Sequence, residues 1–127
     1  MNNDTIFALS SGAEKSGVAV IRISGNDLRD VFKRVINNKT NIIPRHAYLT
    51  NLTDNGDNLI DQVVAIYFNA PHSFTGEDVI EIHSHGAPAV IQKIFEWLYT
   101  LGRRMAATDE FSKRSCYNNN IDFSEIE

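Results

Sequence analysis

Residues 69–88, NAPHSFTGEDVIEIHSHGAP, decide the fold. The stretch opens on a turn at Pro71 and reaches Gly76, whose missing side chain suits a tight bend. From Ile80 the run alternates. Ile80, Ile82 and Ser84 fall on one face of a strand, and Glu81, His83 and His85 on the other. Gly86 and Pro88 then end the strand and open a helix, with Pro88 in the first turn. A carboxylate and two imidazoles are thus gathered on one side of a strand that runs into a helix N-terminus, where backbone donors are close by.

Outward from this stretch, the pattern predicts a sequence of compact elements. Residues 89–101 read as an amphipathic helix through Val90, Ile91, Ile94, Phe95, Leu98 and Leu101, stopped at Gly102. Upstream, residues 47–52 and 60–68 read as two strands joined across Asn55-Gly56, a hairpin signal. Residues 5–9 form a short apolar strand. Residues 17–25, GVAVIRISG, form a second one, β-branched and bounded by glycines. The apolar middles of this strand and of Val63-Val64-Ala65-Ile66 predict burial on both faces, with Arg22 as a lone cation in the first. Ser24 or Asn26 is placed to cap a helix over residues 27–36, with Leu28, Val31, Phe32 and Val35 at helical spacing. Beyond Gly102, residues 103–107 suggest a further strand and residues 110–117 a short helix. Residues 122–127 suggest the start of another helix, cut through a larger architecture. The expected fold is α+β: a mixed sheet with a central hairpin and two main helices.

Composition narrows the function. A chain of 127 residues, 43% of them hydrophobic and 22% charged, is enough for one domain with a real core. The net charge of −4 offers no overall footprint for nucleic acid, which leaves only a local basic patch around Arg103, Arg104, Lys113 and Arg114. A single cysteine, Cys116, excludes an internal disulfide framework and fits a reducing, cytoplasmic compartment. No apolar run reaches membrane-spanning length, so no membrane association is expected.

Four chemistries are open to these residues. Residues 12–16, GAEKS, end like a phosphate loop but lack the glycine before the lysine, and a strand follows instead of a helix; they read as a solvated loop. His83 and His85, two apart on a strand, could share a metal ion with Glu81, or they could bond neighbouring loops or line a pocket for an organic ligand. Cys116 has cations nearby but no base paired with it, and reads as inert. Glu81 can accept two parallel hydrogen bonds from an amidine-like edge, with Arg22 clamping an electronegative group; alternatively Arg22 and Glu81 form a structural ion pair. No catalytic residue is assigned.

Three segments carry a family resemblance: DTIFALSSG…SGVAVIRISG (residues 4–25), SFTGEDVIEIHSHG (73–86) and EFSKRSCYNNNIDFSEIE (110–127). Together they resemble the N-terminal domain of the tRNA-modification GTPase family MnmE, also called TrmE. The F-T-G-E-D…H-G motif is the most specific of them. The resemblance implies a fold similar to the folate-binding domain of glycine-cleavage T-proteins over residues 1–118, with residues 119–127 beginning a helical domain. It implies binding of a tetrahydrofolate derivative, 5-formyl- or methylene-tetrahydrofolate, and homodimerisation through this domain. In the family, a GTPase domain that uses GTP and potassium follows. The whole protein acts on wobble uridines of tRNA with the flavoprotein partner MnmG (GidA). This sequence carries no P-loop, so no GTPase activity is expected of it alone. Arg22 and Glu81 match positions of folate-contacting residues. Asn120 stands where the family has a folate-contacting lysine, which implies a weakened hold on the ligand. Other departures are Ala87 for glycine, Thr108-Asp109 for Pro-Gly, and Ser115-Cys116 for Ala-Phe.

Overall fold

The computed structural model describes residues 4–10, 17–37 and 41–119. Along the chain run β1 (Ile6–Leu9), β2 (Val18–Gly25), α1 (Arg29–Val35), β3 (Tyr48–Thr53), β4 (Leu59–Phe68), β5 (Asp78–His85), α2 (Pro88–Thr100), β6 (Arg104–Met105) and α3 (Glu110–Asn119). The six strands form one mixed sheet in the order β3-β4-β5-β2-β1-β6. All neighbours are antiparallel except β1 and β6, which are parallel. The α+β expectation holds. The β3–β4 hairpin, central in the chain, lies at one edge of the sheet. Residues 12–16, Asn120 and the helix suggested over 122–127 fall outside the described residues.

One face of the sheet carries the core. Ile21, Ile23, Ala65, Tyr67, Ile80 and Ile82 project from the strands and meet Phe32 and Val35 of α1 and Ile94, Trp97 and Leu98 of α2. Each large aliphatic side chain buried this way is worth roughly 1.5–3 kcal/mol. Helix α2 starts at Pro88, where a missing N–H costs nothing, and ends in a Schellman motif. Gly102, at φ 78°, donates to the Tyr99 carbonyl at 3.0 Å, and Arg103 donates to the Leu98 carbonyl at 3.2 Å.

The other face is only partly covered. Along β2 the residues on that side run from Val18, 49% exposed, through half-buried Val20 and Arg22 to Ser24 at 0%. Burial on both faces is therefore wrong for most of β2, and in β4 burial alternates likewise. An apolar run reads the same whether its second face is covered by a layer or left half open. What covers Ser24 is the 73–77 loop and α3.

The cap of α1 also differs from expectation. Leu28 is the N-cap, and no side chain of α1's own segment caps the helix. Instead, the Leu28 N–H donates to Asp78 Oδ2 at 3.0 Å, across fifty residues of sequence. Ser24 is a strand residue engaged elsewhere, and Asp27 bends the chain at φ 47°. The hairpin turn between β3 and β4 is held by Asp54, whose Oδ1 accepts from Gly56 N and Asn58 N at 2.9 and 3.0 Å. Its left-handed residue is Asp57, at φ 61°, not Gly56. The further strand expected over 103–107 shortens to the two residues of β6.

Candidate functional site

Strands β2 and β5 are neighbours in register, with Arg22 opposite Glu81 and Val20 opposite His83. Side chains directly opposite on one face of an antiparallel pair lie within reach of each other. Two residues 59 apart in sequence are thereby set side by side. Arg22 Nε donates to Glu81 Oε2 at 3.0 Å. His83 Nε2 meets the other oxygen, Glu81 Oε1, at 3.0 Å. The result is a row of guanidinium, carboxylate and imidazole on the half-covered face of the sheet. The Arg22 guanidinium also lies 5.6 Å from the Phe74 ring centroid, a cation–π contact.

Glu81 is partly sheltered, its side chain 16% exposed, and two hollows adjoin the row. One, of about 300 Å³, is lined by Arg22, Phe74, Leu9, Ser10, Glu110 and Phe111. The other, of about 370 Å³, is lined by Glu81, Phe74, Phe68, Arg45, His72 and Val79. Phe74 borders both. Each is large enough for a small ring ligand; the first has mostly apolar walls with a few polar groups, the usual makeup of a ligand site, whereas polar and apolar groups share the second about equally. Two further hollows, one between the 54–60 segment and α2 and one around Arg29 and Asp78, contain none of the predicted site residues.

His85 departs from the row. Its Nδ1 meets Asp61 Oδ1 at 2.8 Å, and its backbone N–H donates to Asp61 Oδ2 at 2.8 Å. The imidazole is directed at a different carboxylate, so Glu81, His83 and His85 do not converge on one point. Among the described residues no group of three or more His, Cys, Asp and Glu side chains is arranged to hold a metal ion. Cys116 is half-buried on α3.

The F-T-G-E-D motif is mainly a frame for this row. Thr75 Oγ1 and Ser24 Oγ are 2.7 Å apart. Gly76 takes φ 81°, a conformation costly for residues with a side chain. Glu77 Oε1 accepts from Ser24 Oγ and from Arg114 Nη1, both at 2.8 Å. Asp78 accepts from Leu28 N, from Ala70 N at 2.8 Å, and from the Tyr67 hydroxyl in a very short bond. Burial first, and then that carboxylate, push the Tyr67 phenol well above its ordinary range. Only Phe74, at the head of the motif, faces the hollows.

Arg114, expected in a local basic patch, is fully buried; it ties α3 to Glu77 and Asp4 and pairs with Glu110 of its own helix. Arg104 shares Asp4 and Glu110 with it. The Arg104 guanidinium holds the Glu110 and Asp4 carboxyls below their ordinary range, against the opposing effect of burial. Arg104 and Arg114 are thus neutralised within the fold, which takes two of the four cations out of the basic patch.

Reasoning from sequence identified Arg22, Glu81 and His83, and the structure brings them together. It missed Phe74, Arg45 and Arg114. The first two sit in turns with no periodic signal, and the partners of Arg114 are spread from Asp4 to Glu110. Asn120 lies outside the described residues.

No helix among the described residues is long and apolar enough to cross a membrane. The sequence profile of the family described as "GTP-binding protein TrmE N-terminus" matches residues 5–120. The chain is 44% identical over 125 residues to a tRNA modification GTPase MnmE of Helicobacter pylori (strain Shi470), covering 98% of this chain and 27% of that protein. It is 42% identical over 124 residues to the protein of that name in Sulfurovum sp. (strain NBC37-1), with the same coverage. For that of Nitrosomonas eutropha the identity is 38% over 126 residues, 99% of this chain and 28% of the relative. The chain thus spans about a quarter of the length of the relatives it matches. With the profile matched from β1 to the end of α3, the chain belongs to the TrmE family as an MnmE-type N-terminal domain.

Proposed function

We propose that this domain binds a tetrahydrofolate derivative at the Arg22–Glu81 row and serves as the homodimerisation module of a protein that modifies tRNA wobble uridines. The observation that carries the reading is the pairing of Arg22 with Glu81 at 3.0 Å between two adjoining hollows. A reduced pterin presents an amino group beside a ring N–H, and an ionised carboxylate accepts both. Arg22 supplies donors for the ligand's carbonyl or one-carbon oxygen. Phe74 offers a ring face between the hollows. The group transfer itself, the GTP and potassium chemistry, tRNA and the flavoprotein partner MnmG enter through the family and belong to the longer protein; residues 1–118 are the folate-binding unit and 119–127 lead towards the next domain. Dimerisation is supported by exposed Val18 and Leu49 on the half-covered face.

Isothermal titration of the chain with 5-formyltetrahydrofolate tests the binding reading. A saturable heat in the wild type that is lost in Glu81→Gln is expected. An absence of heat at millimolar ligand overturns it. One observation favours a second reading, in which the domain dimerises without holding folate: both oxygens of Glu81 are already engaged, by Arg22 and His83. Under that reading the titration is silent while light scattering still reports a dimer.

A further inference from the structure

The two hollows beside the Arg22–Glu81 row differ in charge at their outer ends. The Arg22 side ends in α3 and the residues before it, with Asp109 and Glu110 on its wall. The Glu81 side ends at Arg45 and His72. Arg45 is held there by its backbone. Its N–H donates to the Tyr67 carbonyl at 2.7 Å, and its φ of 65° is an uncommon conformation for an arginine. Its guanidinium lies 5.3 Å from the Phe68 ring centroid and donates through Nη1 to the His72 carbonyl at 3.2 Å. The remaining guanidinium N–H groups make no other hydrogen bond among the described residues, and the side chain is exposed. Stacking on an aromatic face leaves the edge of a guanidinium available, and that edge matches a carboxylate in a two-bond fork.

We propose that Arg45 anchors the carboxylate tail of the ligand whose ring end sits at Arg22 and Glu81, so that the site selects glutamate-bearing folates over analogues without a carboxylate tail. The inference rests on the folate reading above and adds a direction to it. An anionic tail laid towards α3 meets Asp109, whereas one laid across Glu81 and Phe74 reaches a positioned cation. The blander role for Arg45 is a staple between the 41–47 segment and the His72 turn, which would affect stability but not ligand choice.

The two roles separate in a titration with paired ligands, 5-formyltetrahydrofolate and the carboxamide of 5-formyltetrahydropteroic acid, which ends in a neutral amide and carries no carboxylate. The wild-type chain is expected to bind the glutamate form about two- to fivefold more tightly, the range for an exposed ion pair. In Arg45→Gln that gap closes while the affinity for the amide form stays the same; in Arg45→Lys part of the gap returns. Thermal melts of each variant report any loss of the staple separately. A gap that persists in Arg45→Gln, or a wild type that binds both ligands equally, overturns the assignment and leaves the folate reading standing. A wild type that binds neither ligand removes the folate reading and this assignment with it.

Discussion

Replacing Arg114 with methionine removes the cation that α3 inserts among Glu77, Glu110 and Asp4. The three carboxylates lose unequally. Asp4 is 41% exposed and keeps Arg104, so its loss is small. Glu110 also keeps Arg104. Glu77, 8% exposed, is left with the Ser24 hydroxyl and, among the described residues, no cation. Breaking a buried pair by removing one partner costs about 3–5 kcal/mol, because the stranded charge is not resolvated. Most of that cost should vanish when the stranded charge is also removed. Arg114→Met is therefore expected to lower unfolding free energy by about 3–5 kcal/mol, and the double variant with Glu77→Gln by less than the sum of the two single changes, with a coupling of at least about 2 kcal/mol. Urea unfolding followed by far-ultraviolet circular dichroism measures all four corners of the cycle, provided that the denaturant slope is common to them. Additive losses, or an Arg114→Met variant within about 0.5 kcal/mol of wild type, would show that Glu77 is not held by Arg114.

Two further outcomes follow from the same frame. Asp78→Ala strands the Leu28 N–H, the Ala70 N–H and the Tyr67 hydroxyl together, and should cost at least about 3 kcal/mol in the same unfolding assay; a loss under about 1 kcal/mol would mean that water replaces the carboxylate at all three. Glu110 and Asp4, with ordinary values of 4.5 and 3.8, have their folded pKa depressed, first by Arg104 in each case. Their contribution is present in full above those ordinary values and is lost as pH falls through the depressed ones. The melting temperature of Arg104→Met should therefore approach that of wild type as pH is lowered below 4.5, and a difference between the two that stays constant with pH would contradict the linkage.

The parts of this fold that were legible in the sequence are those governed by local period. Alternation from Ile80 to His85 placed Glu81 and His83 on one face, and Pro88 and Gly102 marked the two ends of α2 within a residue. The register that sets Arg22 opposite Glu81 was not legible from either strand alone, because pairing is a choice between distant segments. Nor was the cap of α1: Asp78 supplies it from another strand, while the sequence offered Ser24 and Asn26 close at hand. The apolar runs of β2 and β4 predicted two covered faces, yet the second face is covered only where α3 and the 73–77 loop reach. That partial cover leaves room for the hollows at the site. Arg114 looked like one of several surface cations. Its burial depends on three carboxylates that only the folded chain brings together.

The sheet order places β1 between β2 and β6, so β1 has one flank completed by a strand made nearly a hundred residues later. Asp4 is then tied to Arg104 and Arg114. During synthesis, β2 to β5 can pair as they emerge, while the outer edge of β1 waits for the last part of the domain to leave the ribosome. Closure of such a long loop is late and slow relative to local pairing. The open edge is a vulnerable stage, when a nascent chain is most exposed to mispairing with its neighbours. Sealing of the amino-terminal strand by the carboxyl-terminal segment thus makes completion of the domain an event that occurs once, near the end of its translation.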